Sequence, residues 1–148
     1  MIVEERLEDL GLDLLPASGE KSKVAPAIRT GQLVFTSLFY SEEKGRLGNE
    51  ITAAQGYQIV QAVTVQCLSA LKNLLGDLYL ITQVVKIQIY LNSEPAFTDQ
   101  VQVYHGATEL LLDIFGEEIG RGVRSAVGAA ALHDNAAVAM EMVVQVQG

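Results

Sequence analysis

The chain has 148 residues, 49% hydrophobic and 19% charged, and this composition is typical of one globular domain spanning residues 1–148 rather than a disordered segment. The formal net charge of -8 argues against nucleic acid as a partner, because that affinity depends largely on Lys and Arg neutralising phosphates. No apolar run of about 18 residues predicts a membrane span, and the N-terminal residues lack the features of a signal peptide. With one cysteine, Cys67, no internal disulfide can form, and we expect a cytoplasmic protein.

The N-terminal part of the chain predicts a short helix followed by two strands. Apolar residues recur at helical spacing over 3–10 and a polar loop follows over 17–23, so we expect residues 1–23 to be an extension that packs on the domain. Residues 27–38 predict two short strands about a turn at Gly31, because β-branched and aromatic residues follow a turn-forming pair.

The middle of the chain predicts two helices separated by a strand. Thr52 has a glutamine three residues later, which is the spacing of a capping box, and the apolar stripe that follows ends at Gly76. A helix is expected between them. Residues 84–91 alternate in polarity and predict a strand. A capping residue followed by proline within 92–95 predicts the start of a second helix, which Gly116 would end.

The C-terminal stretch contains two apolar runs, 124–132 and 136–146, separated by the turn-forming residues 133–135. Asn and Asp favour turns, so the stretch predicts a hairpin. The runs carry one cation, Arg124, and one anion, Glu141. A register that placed them side by side would aim a guanidinium and a carboxylate at one small space. Because an unpaired charge in an apolar strand is costly to bury, both are candidate site residues.

These elements predict an α+β fold with a single mixed sheet and two helices on one face. In the last strand, alternate residues from Val138 to Val144 line one face, and the other face is also apolar apart from Glu141 and Gln145. Because helices would cover one face only, a large apolar surface stays open. Such a surface usually marks an interface, so the sequence predicts oligomerisation through the open face of the sheet.

Three stretches carry a resemblance to a known family: residues 26–37, residues 76–78 with the following strand, and Arg124-Ser-Ala-Val through Glu141-Met-Val-Val. The chain resembles the reactive intermediate deaminase family, also called YjgF, UK114 or endoribonuclease L-PSP, and its length is similar to a longer branch. The resemblance implies a chorismate-mutase-like fold of the bacillary type. It also implies a homotrimer in which the sheets form an inner barrel and the sites lie in clefts between subunits.

The chemistry that the resemblance implies is hydrolysis of enamine or imine intermediates, such as 2-aminoacrylate, to 2-keto acids and ammonia, without a metal or cofactor. Arg124 matches the family arginine that holds the substrate carboxylate, and a planar guanidinium suits bidentate recognition. Glu141 matches the glutamate that positions the attacking water, and a partly desolvated carboxylate can act as a base. Ser125 follows the arginine as in the family strand and is a candidate substrate-binding residue.

Several family positions carry different residues here. The glycine after Thr-Ser is Leu38, and the helix asparagine aligns with His105, so both are candidate substrate-binding positions. The family tyrosine falls near Val24, and the cysteine two residues after the arginine is Ala126. Compared with the family pattern, the pocket therefore keeps the residue that holds the substrate carboxylate and the residue that positions water, while other residues that line it are different.

Each candidate also has a plainer interpretation. Arg124 could be a strand-edge arginine in an ordinary ion pair, Glu141 a charge on a solvated strand face, and His105 a solvent-facing helix residue. Cys67 lies on the apolar stripe of the first long helix, which favours a buried structural thiol over a nucleophile. Two histidines and one cysteine predict no metal cluster.

Two classes of function remain open from the sequence. The first is an enzyme, a homotrimeric deaminase with Arg124 as the carboxylate anchor and Glu141 as the water-positioning base. The second is a non-catalytic module that binds small carboxylates, which the changed tyrosine, glycine and cysteine positions favour. RNA cleavage rests on a family label alone, and the acidic charge counts against it.

Overall fold

The computed structural model describes residues 3–15 and 23–148, so the predicted polar loop lies almost wholly outside the described residues. This part of the chain forms three α-helices and six strands, with 3-10 turns at Leu78–Leu80 and His133–Asn135. The helices are α1 (Val3–Asp9), α2 (Ala53–Leu75) and α3 (Gln100–Gly120). The strands are β1 (Ala27–Thr30), β2 (Leu33–Thr36), β3 (Phe39–Tyr40), β4 (Ile81–Asn92), β5 (Val123–Ala129) and β6 (Val138–Val146).

The strands form one mixed sheet in the order β1-β2-β6-β4-β5, and β3 also pairs with β6, beside β2. The central strand, β4, has β6 antiparallel on one side and β5 parallel on the other. The parallel pair requires a crossover, which α3 supplies. The prediction of an α+β fold with one mixed sheet is confirmed, and α1 adds a third helix to the two long ones.

Helix α2 begins and ends where the sequence predicts. The Thr52 hydroxyl accepts from the Gln55 backbone N–H at 3.1 Å, and the Gln55 side chain accepts from the Thr52 N–H at 2.8 Å. These reciprocal bonds satisfy two otherwise unpaired donors at the helix start. Gly76 caps the other end with φ +83°, a conformation that glycine adopts without strain.

The core lies between the sheet and the two long helices. Alternate residues of β6 from Val138 to Val144 are buried, as the alternation predicts, and Cys67 of α2 is buried against them. The two helices cross closely at Gly106, where an added Cβ would collide with the carbonyl oxygen of Tyr57. Helix α1 joins this core through the buried Leu7. Its charged residues form the ion pairs Arg6–Asp113 and Glu4–Lys72.

The predicted hairpin between the last two strands is wrong, because β4 lies between β5 and β6. The turn chemistry is as expected, since Asp134 and Asn135 have φ +54° and +55°. The segment after the turn is held by distant partners instead: the Ala137 N–H donates to the Glu43 carbonyl at 3.0 Å, and the Ala137 carbonyl accepts from the Asn92 N–H at 2.9 Å. These contacts direct β6 to the far side of β4.

The predicted bounds of the second long helix are also wrong. Asn92 ends β4 rather than starting a helix, because its side chain is buried and donates to the Ala136 carbonyl at 3.1 Å. Helix α3 begins at Gln100 instead. Gly116 interrupts it with φ +83°, and helical structure then continues to Gly120.

The face of the sheet opposite the helices carries exposed apolar side chains. These are Ile28 (61% exposed), Leu33 (37%), Phe35 (40%), Val123 (66%) and Val127 (46%). Cross-strand pairing places them on one surface, because bridged partners share a face of the sheet. We call these five side chains the open-face patch. No helix among the described residues is long and apolar enough to cross a membrane.

Candidate functional site

Arg124 lies on the edge strand β5, and its side chain reaches towards α3. The guanidinium carbon lies 4.4 Å from the centroid of the Tyr104 ring, and Nη2 donates to the Tyr104 hydroxyl at 3.3 Å. No carboxylate within residues 3–15 and 23–148 forms an ion pair with Arg124. The plainer interpretation of an ion-paired arginine is therefore not supported by these residues. The side chain is exposed, oriented by an aromatic ring and available to an anion.

His105 belongs to the same side of the molecule as Arg124. Its ring meets the Tyr104 ring edge to face, with centroids 5.2 Å apart and an interplanar angle of 77°. A cavity of about 160 Å³ lies beside Arg124, between the face of α3 that carries Thr108 and the start of β5. We call the group formed by Arg124, Tyr104 and His105 the arginine half-site.

Glu141 lies on the open face of the sheet and is half-buried. It lines a pocket of about 330 Å³ together with Phe35, Lys86 and Gln88, among others. No hydrogen bond or ion pair engages its carboxylate in the part of the chain that the structure describes. The pocket offers an available oxygen acceptor in a partly apolar surrounding, which suits a base that handles water.

The connection between β2 and β3 runs beside Glu141. Phe35 pairs with Val143 and Phe39 pairs with Met140, so the residues between them pass along β6 at Glu141. The Met142 N–H donates to the Thr36 hydroxyl at 2.9 Å and holds this connection in place. Leu38, half-buried, lies in the same connection, so its backbone belongs to the neighbourhood of Glu141.

Ser125 also belongs with Glu141 rather than with Arg124. Gln88 is the bridging partner of Ser125 on one side and of Glu141 on the other, so the three residues form one row across the sheet. The Ser125 hydroxyl donates to the Gln88 side-chain oxygen. We call the group formed by Glu141, Gln88, Ser125 and Leu38 the glutamate half-site.

The two half-sites lie on opposite faces of the sheet. Arg124 pairs with Ile87, which pairs with Met142, and that row faces the helices. The adjacent row contains Glu141 and faces away from them, because successive side chains of a strand point to opposite faces. The register that the sequence left open, with Arg124 beside Glu141 within one chain, is therefore not the one that forms.

Two site residues were missed in the sequence. Tyr104 is half-buried on its helix, and its signal in the sequence is a tyrosine beside a polar His105, because a partly buried tyrosine hydroxyl needs a partner. Gln88 lies in an alternating strand between Lys86 and Tyr90, and that alternation places all three on the open face. The sequence does not show which strands pair with β4, and only that pairing places Gln88 between Ser125 and Glu141.

The remaining candidates have structural surroundings. The pKa of the Cys67 thiol is raised to about 12, chiefly by burial and to a smaller extent by the negative charge of Glu141. Such a thiol stays neutral near pH 7, in agreement with the expected structural role. His133 packs against Tyr40 with ring centroids 5.5 Å apart and belongs to neither half-site. Among the described residues, no group of three His, Cys, Asp or Glu side chains could hold a metal ion.

A family model described as "YjgF/chorismate mutase-like, putative endoribonuclease" matches residues 9–144. The chain belongs to this family. The resemblance seen in the sequence is thus confirmed. Arg124 and Glu141 both lie inside the matched region, as do Ser125, His105 and Leu38.

The chain is also similar to individual proteins and solved structures. Protein TCP17 of Trypanosoma cruzi is 42% identical over 101 residues, which make up 68% of this chain and 63% of that protein. The match therefore spans less than two thirds of this relative. The crystal structure of Atu1372 from Agrobacterium tumefaciens, a protein described as of unknown function, is 31% identical with a TM-score of 0.88, and the match covers 99% of this chain and 94% of that one. A "putative endoribonuclease" of Shewanella oneidensis is 25% identical with a TM-score of 0.90, covering 97% and 99%.

Proposed function

We propose that this protein hydrolyses reactive enamine or imine intermediates, such as 2-aminoacrylate, to 2-keto acids and ammonia, without a metal or cofactor. The observation that carries the proposal is the exposed guanidinium of Arg124, which stacks on Tyr104 and has no ion-pair partner among the described residues. A planar guanidinium that is ordered, and that forms no ion pair with the described residues, suits a small 2-imino or 2-keto acid.

The proposed reaction needs one group to hold the substrate and one to handle water. Arg124 binds the substrate carboxylate through two parallel N–H donors. Glu141 takes a proton from water as the oxygen bonds to the imine carbon, and it returns that proton to the imine nitrogen, which gives a carbinolamine. Glu141 then takes the hydroxyl proton and passes it to the amine nitrogen as the carbon–nitrogen bond breaks, so that the bonding electron pair leaves with nitrogen and the products are ammonia and a 2-keto acid. An enamine enters the same route after it tautomerises to the imine.

We propose that the two groups meet across a subunit boundary in a homotrimer. Within one chain Arg124 and Glu141 lie on opposite faces of the sheet, so a second copy must supply the other half-site. The open-face patch supports such an assembly, because exposed apolar area of this kind is usually covered by a partner. In this arrangement His105 lines the cleft from the arginine side, and Ser125 and Leu38 line it from the glutamate side.

A second candidate is a non-catalytic trimer that binds small carboxylates. Ala126 favours it, because this residue follows Arg124 by two positions on β5 and brings no thiol to the cleft. This candidate retains the role of Arg124 and removes that of Glu141. Carboxylate binding without turnover would distinguish it from the deaminase.

The test is release of ammonia and keto acid from imines generated freshly by an amino-acid oxidase. The wild type is expected to accelerate release, and Glu141→Gln is expected to lose about 100-fold or more of the acceleration, because positioned acid–base groups contribute that much. Glu118→Gln, on an exposed turn of α3, is the matched control and should behave as the wild type. If Glu141→Gln retains full acceleration in folded protein, the proposed role of Glu141 is wrong.

A further inference from the structure

We propose that Tyr104 is a positioning residue, which fixes the plane of the Arg124 guanidinium and so sets the affinity for the substrate carboxylate. This inference rests on the proposed function of Arg124 as the carboxylate anchor. It adds a residue from α3 to a site whose other members come mainly from strands and their connections.

The contact with Tyr104 leaves most N–H donors of Arg124 available to a carboxylate. A guanidinium carries five N–H donors in one plane, and the guanidinium carbon of Arg124 lies over the Tyr104 ring, 4.4 Å from its centroid. The one hydrogen bond that Arg124 makes to described residues is from Nη2 to the Tyr104 hydroxyl. The remaining in-plane donors are therefore available to a carboxylate, and the fork needs little further ordering when the ligand arrives.

The Tyr104 hydroxyl contributes a second feature. Its oxygen accepts from Arg124, and its own O–H has no acceptor within the described parts of the chain. A phenol both accepts and donates, so this hydrogen can be donated to the carboxylate that Arg124 holds. The carboxylate would then have three donors from two side chains.

The core and the neighbouring His105 fix the position of the Tyr104 ring. Tyr104 is half-buried on α3 and packs against the core. The His105 ring meets it edge to face at 5.2 Å, an arrangement that favours one ring orientation. A positioning group on a packed helix holds its partner more firmly than one on a loop, which is the condition for a preorganised anchor.

Two variants separate the ring from the hydroxyl. Tyr104→Phe keeps the stack and removes the hydroxyl, and Tyr104→Leu removes both. With pyruvate as the probe in calorimetry, we expect Kd to rise about threefold for the phenylalanine variant, which loses one hydrogen bond, and about tenfold for the leucine variant, which also loses the cation–π contact, because each of these contacts at an exposed site is worth a factor of about three. With an imine substrate, KM should rise by the same factors while kcat stays within about twofold, because the contact is made in the ground state as well as in the transition state.

A double-mutant cycle distinguishes positioning from a general effect on packing. In an Arg124→Ala background, Tyr104→Leu and Tyr104→Phe should bind pyruvate with affinities within about twofold of each other, because both lack the hydroxyl and there is no guanidinium left for the ring to orient. A difference between the two variants that is equal in both backgrounds would overturn the inference, as would a leucine variant that binds like the wild type. If the leucine variant does not fold, Tyr104→Met takes its place, because it also removes both the ring and the hydroxyl.

The outcome also separates this inference from the proposed reaction. Pyruvate binding that depends on Tyr104, in a protein that turns over no imine, would retain the positioning role and reject the deaminase. Imine turnover that is unaffected by either Tyr104 variant would retain the deaminase and reject the positioning role of Tyr104. A wild type that binds no carboxylate would overturn both.

Discussion

Replacing Val127 with aspartate tests whether a partner covers the open face of the sheet. Val127 lies on β5 across from Tyr90 and is 46% exposed in the single chain, so an aspartate there can remain hydrated in a monomer. In an isolated chain the substitution should cost about 1–2 kcal/mol, because it removes the apolar area that Val127 already buries and a residue that favours strands. Only burial by another subunit makes the charge costly.

The size of the effect follows from the exposures. The five side chains of the open-face patch retain about half of their area, and covering it would contribute roughly 1 kcal/mol each, or about 5 kcal/mol per chain. Burying an unpaired carboxylate costs several kcal/mol. The cost of burying the carboxylate is similar to the free energy gained by covering the patch. One aspartate per chain should therefore be enough to dissociate most of the assembly at micromolar concentration.

Sedimentation velocity or light scattering gives the answer directly. A chain of 16.0 kDa should be found near ~48 kDa as the wild-type trimer and near its own mass as Val127→Asp. The matched control is Leu74→Asp on α2, where a side chain of similar exposure, 44%, lies off the open face. A Val127→Asp protein that keeps the full mass, or a control that dissociates equally, would refute the assignment of this face as the interface.

Two further predictions concern the interior. Gly106→Ala should lower the free energy of unfolding, measured by urea titration, by about 1–3 kcal/mol. The reason is that the added Cβ collides with the Tyr57 carbonyl oxygen where the two long helices cross. An unchanged free energy of unfolding would show that the helices can move apart at this crossing at no cost. Iodoacetamide at pH 8 should not alkylate Cys67 in the folded protein, because burial raises its thiol pKa to about 12 and only the thiolate reacts. In urea the pKa returns to about 8.5 and alkylation should become rapid, whereas equal rates in both conditions would contradict the burial.

The sequence predicted correctly those features that depend on residues close together in the chain, such as helix ends and turns. The capping box at Thr52 and the glycine at Gly76 fixed both ends of α2, because the bonds that satisfy helix ends are made by residues a few positions away. The turn at Gly31, with φ +61°, followed from the same kind of signal. The alternation in β6 likewise predicted that Val138, Met140, Met142 and Val144 share a buried face.

Predictions that depended on distant partners were wrong. Asn92 has the character of a helix cap, yet its side chain pairs with Ala136, 44 positions away, and the helix starts later. The hairpin failed for a related reason: two apolar runs joined by a turn look the same whether or not a third strand inserts between them. Arg124 and Glu141 were singled out as unusual charges, but their placement on opposite faces depends on the position of β4.

The central claim is that Arg124 of one chain and Glu141 of another complete the same site. It is tested most directly by mixing two inactive variants, Arg124→Ala and Glu141→Gln, by joint refolding of differently tagged chains. In a cyclic trimer each cleft draws one half-site from each of two neighbours, so random mixing should restore about a quarter of the wild-type activity. A mixture that remains inactive, although tag capture shows that mixed trimers have formed, would contradict a site shared between subunits.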